Sequence, residues 1–208
     1  MNLIVSAIIG YFIGSFPTAY LLLKKYHSIN ITEYGSGNVG AFNSFRVSRS
    51  KLLGMVVFII DFMKGFISVQ VVNILFGSQF IFLITGLMAA VLAHCYSPWI
   101  KFKGGRGLAT AAGGGVILSI PVITVWAASW LIFFLFRRNI HFANIGAIIT
   151  TILAVIIPSR LTEIFVKSNN YNQIEFSITV TIIMLIMLLR HNTSYQLLFK
   201  KNKNYQGI

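Results

Sequence analysis

Residues Leu108–Phe136 read LATAAGGGVILSIPVITVWAASWLIFFLF, an apolar stretch of 29 residues without a single charge. As one helix it would be about 43 Å long at ~1.5 Å per residue, against a hydrocarbon core of about 30 Å. Gly113-Gly114-Gly115 and Pro121 weaken a continuous helix in its middle. The stretch is either one overlong crossing or a hairpin of two short helices. That choice decides the orientation of everything after it.

Further apolar runs lie at about 3–23, 52–76, 78–97, 140–157 and 176–189. The chain is 56% hydrophobic and 10% charged, with mean hydropathy +0.79. A soluble domain carries about 25% charged residues, so this is the composition of an integral membrane protein. The formal charge of +13 is spread between apolar runs rather than gathered on one patch. That argues for anionic head groups and anionic substrates as partners, and against nucleic acid. Met1–Leu23 has no basic start and no small-residue cleavage site, and it is long enough to span, so it reads as a retained first helix. The single cysteine, Cys95, excludes an internal disulfide framework.

The positive-inside rule decides between the two readings of Leu108–Phe136. With a hairpin the chain crosses seven times, N-terminus outside and C-terminus cytoplasmic, and fourteen Lys and Arg fall inside against two outside, Arg160 and Lys167. With a single crossing the division is ten against six. The expected architecture is therefore all-α, one integral membrane domain over 1–208 with about seven transmembrane helices, some of them short. Pro158–Glu175 reads as an external loop and Lys200–Ile208 as a basic tail on anionic lipid.

This orientation brings two polar, glycine-rich segments to the cytoplasmic face. The second, Lys101–Thr110, reads KFKGGRGLAT. Its glycines free the backbone to point N–H groups at an anion, and the helix start that follows adds partial positive charge. Lys103 and Arg106 would add a mobile and a forked donor to phosphate. The first, Glu33–Arg46, reads EYGSGNVGAFNSFR: Gly35, Gly37 and Gly40 loosen it, Ser36, Asn38, Asn43 and Ser44 offer neutral hydrogen bonds, and Arg46 closes it. The same residue types suit an ordinary flexible loop; two such loops on one face favour an anion site.

Asp61 and Lys64 stand at i and i+3 in an apolar run. An intramembrane charge costs at least ~2.5 kcal/mol, so the two are expected to pair or to face inward. They read either as a packing ion pair or with Lys64 assisting a site from below. His94 precedes the basic loop and is a candidate base, phosphate contact or interfacial histidine. His191 ends the last apolar run, while His27 and His141 read as interface residues. No metal-ligand spacing, nucleophile elbow, complete P-loop, H-E-x-x-H or His–Asp acyltransferase pattern is present. Neither a metal nor any other cofactor is expected.

GSFPTAYLL near the start, GSGNVGAFN followed by Arg46, D-x-x-KG at Asp61–Gly65, and H-x3-P-x3-FKGGRGLAT from His94 occur in that order. This combination resembles the bacterial acyl-phosphate-dependent glycerol-3-phosphate acyltransferases of the PlsY type, over about residues 10–112 and more loosely beyond. The resemblance implies a small seven-helix plasma-membrane enzyme with its site facing the cytoplasm. Its reaction would move a fatty acyl group from acyl-phosphate to the 1-hydroxyl of glycerol 3-phosphate, giving lysophosphatidic acid and phosphate. The family's essential serine and arginine would fall on Ser36 and Arg46, its asparagines on Asn38 and Asn43, and its phosphate loop on Lys103, Gly104, Gly105, Arg106 and Gly107. Arg106 stands where the loop's second lysine is usual. Gly35, Gly37 and Lys64 join the expected substrate contacts, and His94 and His191 are the candidate proton acceptors beside a substrate phosphate. The C-terminal third departs: Ser194 holds the place of an asparagine three residues after His191, the tail lacks glutamate, and His141 and Asn144 replace small serines. Those departures leave room for an altered paralogue with another acceptor or a lipid-binding role. A transporter of phosphorylated solutes, the third reading, lacks an inverted repeat.

Overall fold

The first apolar run is broken by Pro17. Helix α1 (Asn2–Ser15) stops at Phe16, whose extended ψ of 119° is what a residue before proline adopts, and α2 (Thr18–His27) follows. Carbonyls at the break find partners from elsewhere in the bundle. Ser97 Oγ donates to the Ser15 carbonyl at 2.6 Å and Lys64 Nζ donates to the Phe16 carbonyl at 2.6 Å. A proline in an apolar run thus creates acceptors that only buried polar side chains can fill.

The computed structural model describes residues 1–157 and 172–191, and all regular structure among them is helical. After α2 come α3 (Ala41–Ser48), α4 (Lys51–Phe76), α5 (Phe80–Cys95), a 3-10 turn at Pro98–Ile100, α6 (Leu108–Leu118), α7 (Ile120–Arg137), α8 (Ile140–Ile156) and α9 (Gln173–Arg190). Leu108–Phe136 is a pair of helices, as the charge distribution requires. Ser119 separates them with an extended ψ of 95°, and its Oγ accepts the Val122 N–H as α7 begins with Pro121 in its first turn. Five helical stretches are long and apolar enough to span, and α6 and α8 are shorter apolar helices, in line with about seven crossings. Most of the expected external loop, Arg160, Lys167, Ser194 and the basic tail lie outside the described residues.

Helix α5 is the axis of the bundle, with 61% of its spanning window buried. Two small-residue contacts bring backbones together around it. A Cβ at Gly10 or Gly14 of α1 would collide with the Gly86 or Ala90 carbonyl of α5. One at Gly65 of α4 or Gly113 of α6 would collide with the carbonyl of Thr110 or Phe62. Such contacts are how helices associate where lipid removes the hydrophobic drive. Asp61 in the interior of α4, His94 near the end of α5 and the start of α6 come together in one polar cluster.

Candidate active site

The two glycine-rich loops meet at that cluster, where the Val39 N–H donates to the Gly104 carbonyl at 3.4 Å. Beside them opens a cavity of about 440 Å³. Its polar lining comes from Asn38, Asp61, His94, Arg106, Asn144 and the start of α6, and its apolar lining, the larger part, from Phe42, Phe58, Trp126, Trp130 and Ile140.

The second loop is built on the end of α5. Helix termination at Cys95 leaves the last carbonyls without intrahelical donors. The Gly105 N–H donates to the His94 carbonyl at 2.9 Å and the Gly104 N–H to the Cys95 carbonyl at 3.2 Å. A Cβ on Gly104 would collide with the His94 and Cys95 carbonyls, and one on Gly105 with the His94 ring and the Val39 carbonyl. Both amides, expected to cradle a phosphate, serve the helix terminus in this structure. The donors that reach the cavity belong to Arg106 and the first turn of α6. There Gly107 adopts a φ of 79°, and the first helical bond runs from the Ala111 N–H to the Gly107 carbonyl, so the preceding amides have no intrahelical acceptor. Burial and the neighbouring Arg190 charge pull the Arg106 guanidinium down to about 10, which leaves it charged at neutral pH. Lys103 is exposed and not part of the cavity wall.

The first loop is built on Asn43. Its Nδ2 donates to the Tyr34 and Asn38 carbonyls, each at 3.0 Å, and its Oδ1 accepts the Ser36 N–H at 3.0 Å. Asn43 is therefore engaged in shaping the loop and stands off the cavity wall. Gly35 and Gly37, with φ of 61° and 68°, form the turn around it and also stand off the cavity wall. Ser36 is half-buried outside the wall, and exposed Arg46 lies with its guanidinium 6.0 Å from the ring of Phe42, which is part of it.

The Asp61–Lys64 pair forms at 2.6 Å with both side chains buried. Asp61 lines the cavity, while Lys64 stands off its wall against the α1–α2 break and lines a smaller void shared with Asp61 and His94. His94 Nδ1 lies 3.7 Å from the Asp61 carboxylate, and the ring leans over Gly105. His191 is fully buried outside the cavity wall: Nδ1 lies 2.7 Å from the Met187 carbonyl and Nε2 has no partner among the described residues. Burial pushes its imidazole down to about 4, against the Met187 hydrogen bond and with help from Arg106.

Against this geometry, the sequence profile of the family described as glycerol-3-phosphate acyltransferase matches residues 4–201. The chain belongs to that family. A glycerol-3-phosphate acyltransferase of Fusobacterium nucleatum is 34% identical, over 95% of this chain and 94% of its own. One of Wolbachia pipientis is 30% identical, over 95% and 96%. Among solved structures, a crystal structure of PlsY (YgiH), an integral membrane glycerol 3-phosphate acyltransferase in its glycerol 3-phosphate form, superposes with a TM-score of 0.79. It is 29% identical and the match covers 99% of this chain and 96% of that one. The lysophosphatidic acid form of PlsY gives 0.78 at 28% identity. The protein is thus a membrane acyltransferase of phospholipid synthesis.

Several elements of this acyltransferase site were not singled out from the sequence. Trp126 and Trp130, at i and i+4 on α7, present one face to the cavity, and Asn144 of α8 holds the Trp130 indole N–H at 2.7 Å. Arg190 reaches from the end of α9 to donate to the Gly104 and Gly105 carbonyls at 2.9 and 3.2 Å while covering the Tyr96 ring at 5.0 Å. His141, read as an interface residue, instead contacts Arg106 at 3.0 Å. The i,i+4 tryptophans were the one signal available in the sequence; the two basic contacts join residues 85 and 35 positions apart.

Proposed function

We propose that this acyltransferase moves a fatty acyl group from acyl-phosphate to the 1-hydroxyl of glycerol 3-phosphate, releasing phosphate and lysophosphatidic acid, at the cytoplasmic face of the bacterial plasma membrane. The observation that carries this reading is the cavity itself, whose wall combines a cationic, polar lining of Arg106, Asn38 and the start of α6 with an aromatic, apolar one. A phosphate fits the first and an acyl chain the second. The names of the relatives supply glycerol 3-phosphate as acceptor, and the distribution of Lys and Arg supports the orientation.

An acyl-phosphate is already activated, so direct attack suffices. The acceptor hydroxyl oxygen forms a bond to the acyl carbon, the carbon–oxygen bond to phosphate breaks, and phosphate leaves with the electron pair. The hydroxyl proton passes to His94 or to a substrate phosphate; His191 sits off the cavity and is the weaker candidate. Arg106, the first turn of α6 and Lys103 at the loop's outer edge hold the donor phosphate and the charge developing on it. Arg46, Ser36 and Asn38 hold the acceptor phosphate, and alignment of the two substrates contributes ~7–11 kcal/mol.

Purified protein supplied with acyl-phosphate and glycerol 3-phosphate is expected to release phosphate and form lysophosphatidic acid. Arg46→Ala and Lys103→Ala should each reduce turnover below detection. Equal turnover with acyl-CoA would remove acyl-phosphate from the reading, and full activity in either variant would remove that residue from the site.

A further inference from the structure

Arg106 is the one arginine lining the cavity among the described residues, and its long side chain is fixed at one edge by a residue from another helix. Nη1 of the guanidinium lies 3.0 Å from Nδ1 of His141. Guanidinium has donors only, so at this distance Nδ1 presents its lone pair and the ring is the neutral tautomer protonated at Nε2. Positive charge bears on the ring from Arg106 in the loop and from Arg46 of α3.

The imidazole is delivered from a rigid support. Asn139 caps α8, its Oδ1 accepting the His141 and Phe142 N–H groups at 2.9 and 3.0 Å. The Arg137 guanidinium covers the Phe142 ring at 5.2 Å. Arg106 forms part of the cavity wall and His141 does not. One guanidinium edge is therefore held from outside the cavity, leaving the other edge for a bidentate contact within it.

We propose that His141 is a positioning residue that aims Arg106 into the cavity, so that its free edge meets phosphate in one fixed orientation. This rests on the phosphate-binding reading above and adds a residue and a bond to it. Removing the acceptor frees the guanidinium to turn toward water. Losing a hydrogen bond to a charged group corresponds to a loss in phosphate affinity of roughly 10- to 100-fold.

The test is inorganic phosphate binding to the full-length protein in detergent, measured by calorimetry alongside thermal midpoints. His141→Phe keeps the ring's bulk without an acceptor and should raise the phosphate Kd by that factor. His141→Asn places an amide oxygen near the Nδ1 position and should stay within about three-fold of the native Kd. In an Arg106→Ala background, His141→Phe should change the Kd no further. Native affinity in His141→Phe overturns the proposal. So do equal losses in the Asn and Phe variants, which mark a packing role, and an undiminished loss in the Arg106→Ala background. Phosphate binding with this pattern but no acyl transfer would instead fail the reaction proposed above while leaving the His141–Arg106 link intact.

Discussion

The loop at Glu33–Gly40 is held by a side chain, and the loop at Lys101–Gly107 is held by main chain. In the first, Asn43 alone gathers two carbonyls and an amide. In the second, two glycine amides complete the end of α5, and Arg190 then secures their carbonyls from the opposite side. Each loop carries three glycines. Their supports show that glycine does different work in each: left-handed turns around Asn43 in one, contact with a helix end too close for a Cβ in the other. An amide engaged in either scaffold is no longer a phosphate ligand.

Gly104→Ala is the harshest way to break this contrast. Its Cβ would meet the His94 and Cys95 carbonyls, which have no side-chain freedom to yield. Overpacking of about 3 kcal/mol together with loss of the loop should leave little folded protein and no turnover, read by size-exclusion yield and phosphate release. Asn43→Ala comes next. Three hydrogen bonds at about 1 kcal/mol each predict a loss of 2–3 kcal/mol. Asn43→Asp should lose at least as much, because it keeps the acceptor for Ser36 but turns a buried carboxylate oxygen onto the Tyr34 and Asn38 carbonyls. A denaturation series in detergent checks that Asn43→Asp is no more stable than Asn43→Ala.

Arg190→Lys should cost about 1–2 kcal/mol, since an ammonium cannot fork across both glycine carbonyls. Hydrogen exchange should then rise at residues 103–107 and at Val39, whose N–H donates to the Gly104 carbonyl, and stay unchanged at 34–38. The smallest effect is acid. His191 follows Arg190 directly, and its folded-state value of about 4 lies below the unfolded value of 6.5. The unfolded chain therefore binds the extra proton, and stability is lost as pH falls below 6.5, by about 1 kcal/mol at pH 6. Loosening should appear in the second loop, whose anchor lies beside the titrating ring, and not in the first, whose anchor is an amide. Equal exchange in both loops at pH 6 would remove the distinction.

Local features of the fold were legible in the sequence. The helix break near Pro121 and the i,i+3 pairing of Asp61 with Lys64 both follow from residues a few positions apart. Membership of the family was legible too, because its motifs are contiguous. The roles within the site were legible only in part. Asn43, Gly104 and Gly105 have residue types that suit an anion, and nothing local reveals that their polar groups are engaged by the scaffold. That depends on where α5 ends in space and on Arg190 arriving from the far end of the chain. His141 was unreadable for the same reason: a histidine at a helix start has no local mark of the arginine it will meet.

The tryptophans on α7 carry a practical consequence. Of the three in the chain, Trp126 and Trp130 are in the cavity wall, and Trp130 is stacked on Phe134 at 5.0 Å. Trp99 is largely exposed near the loops and donates to Ser15. Indole emission follows the polarity around the ring, so occupation of the apolar body by a lipid tail registers as a shift in wavelength and intensity. With Trp99→Phe removing the background, the protein becomes its own fluorescent gauge of acyl-chain entry, without a label and before any bond is made.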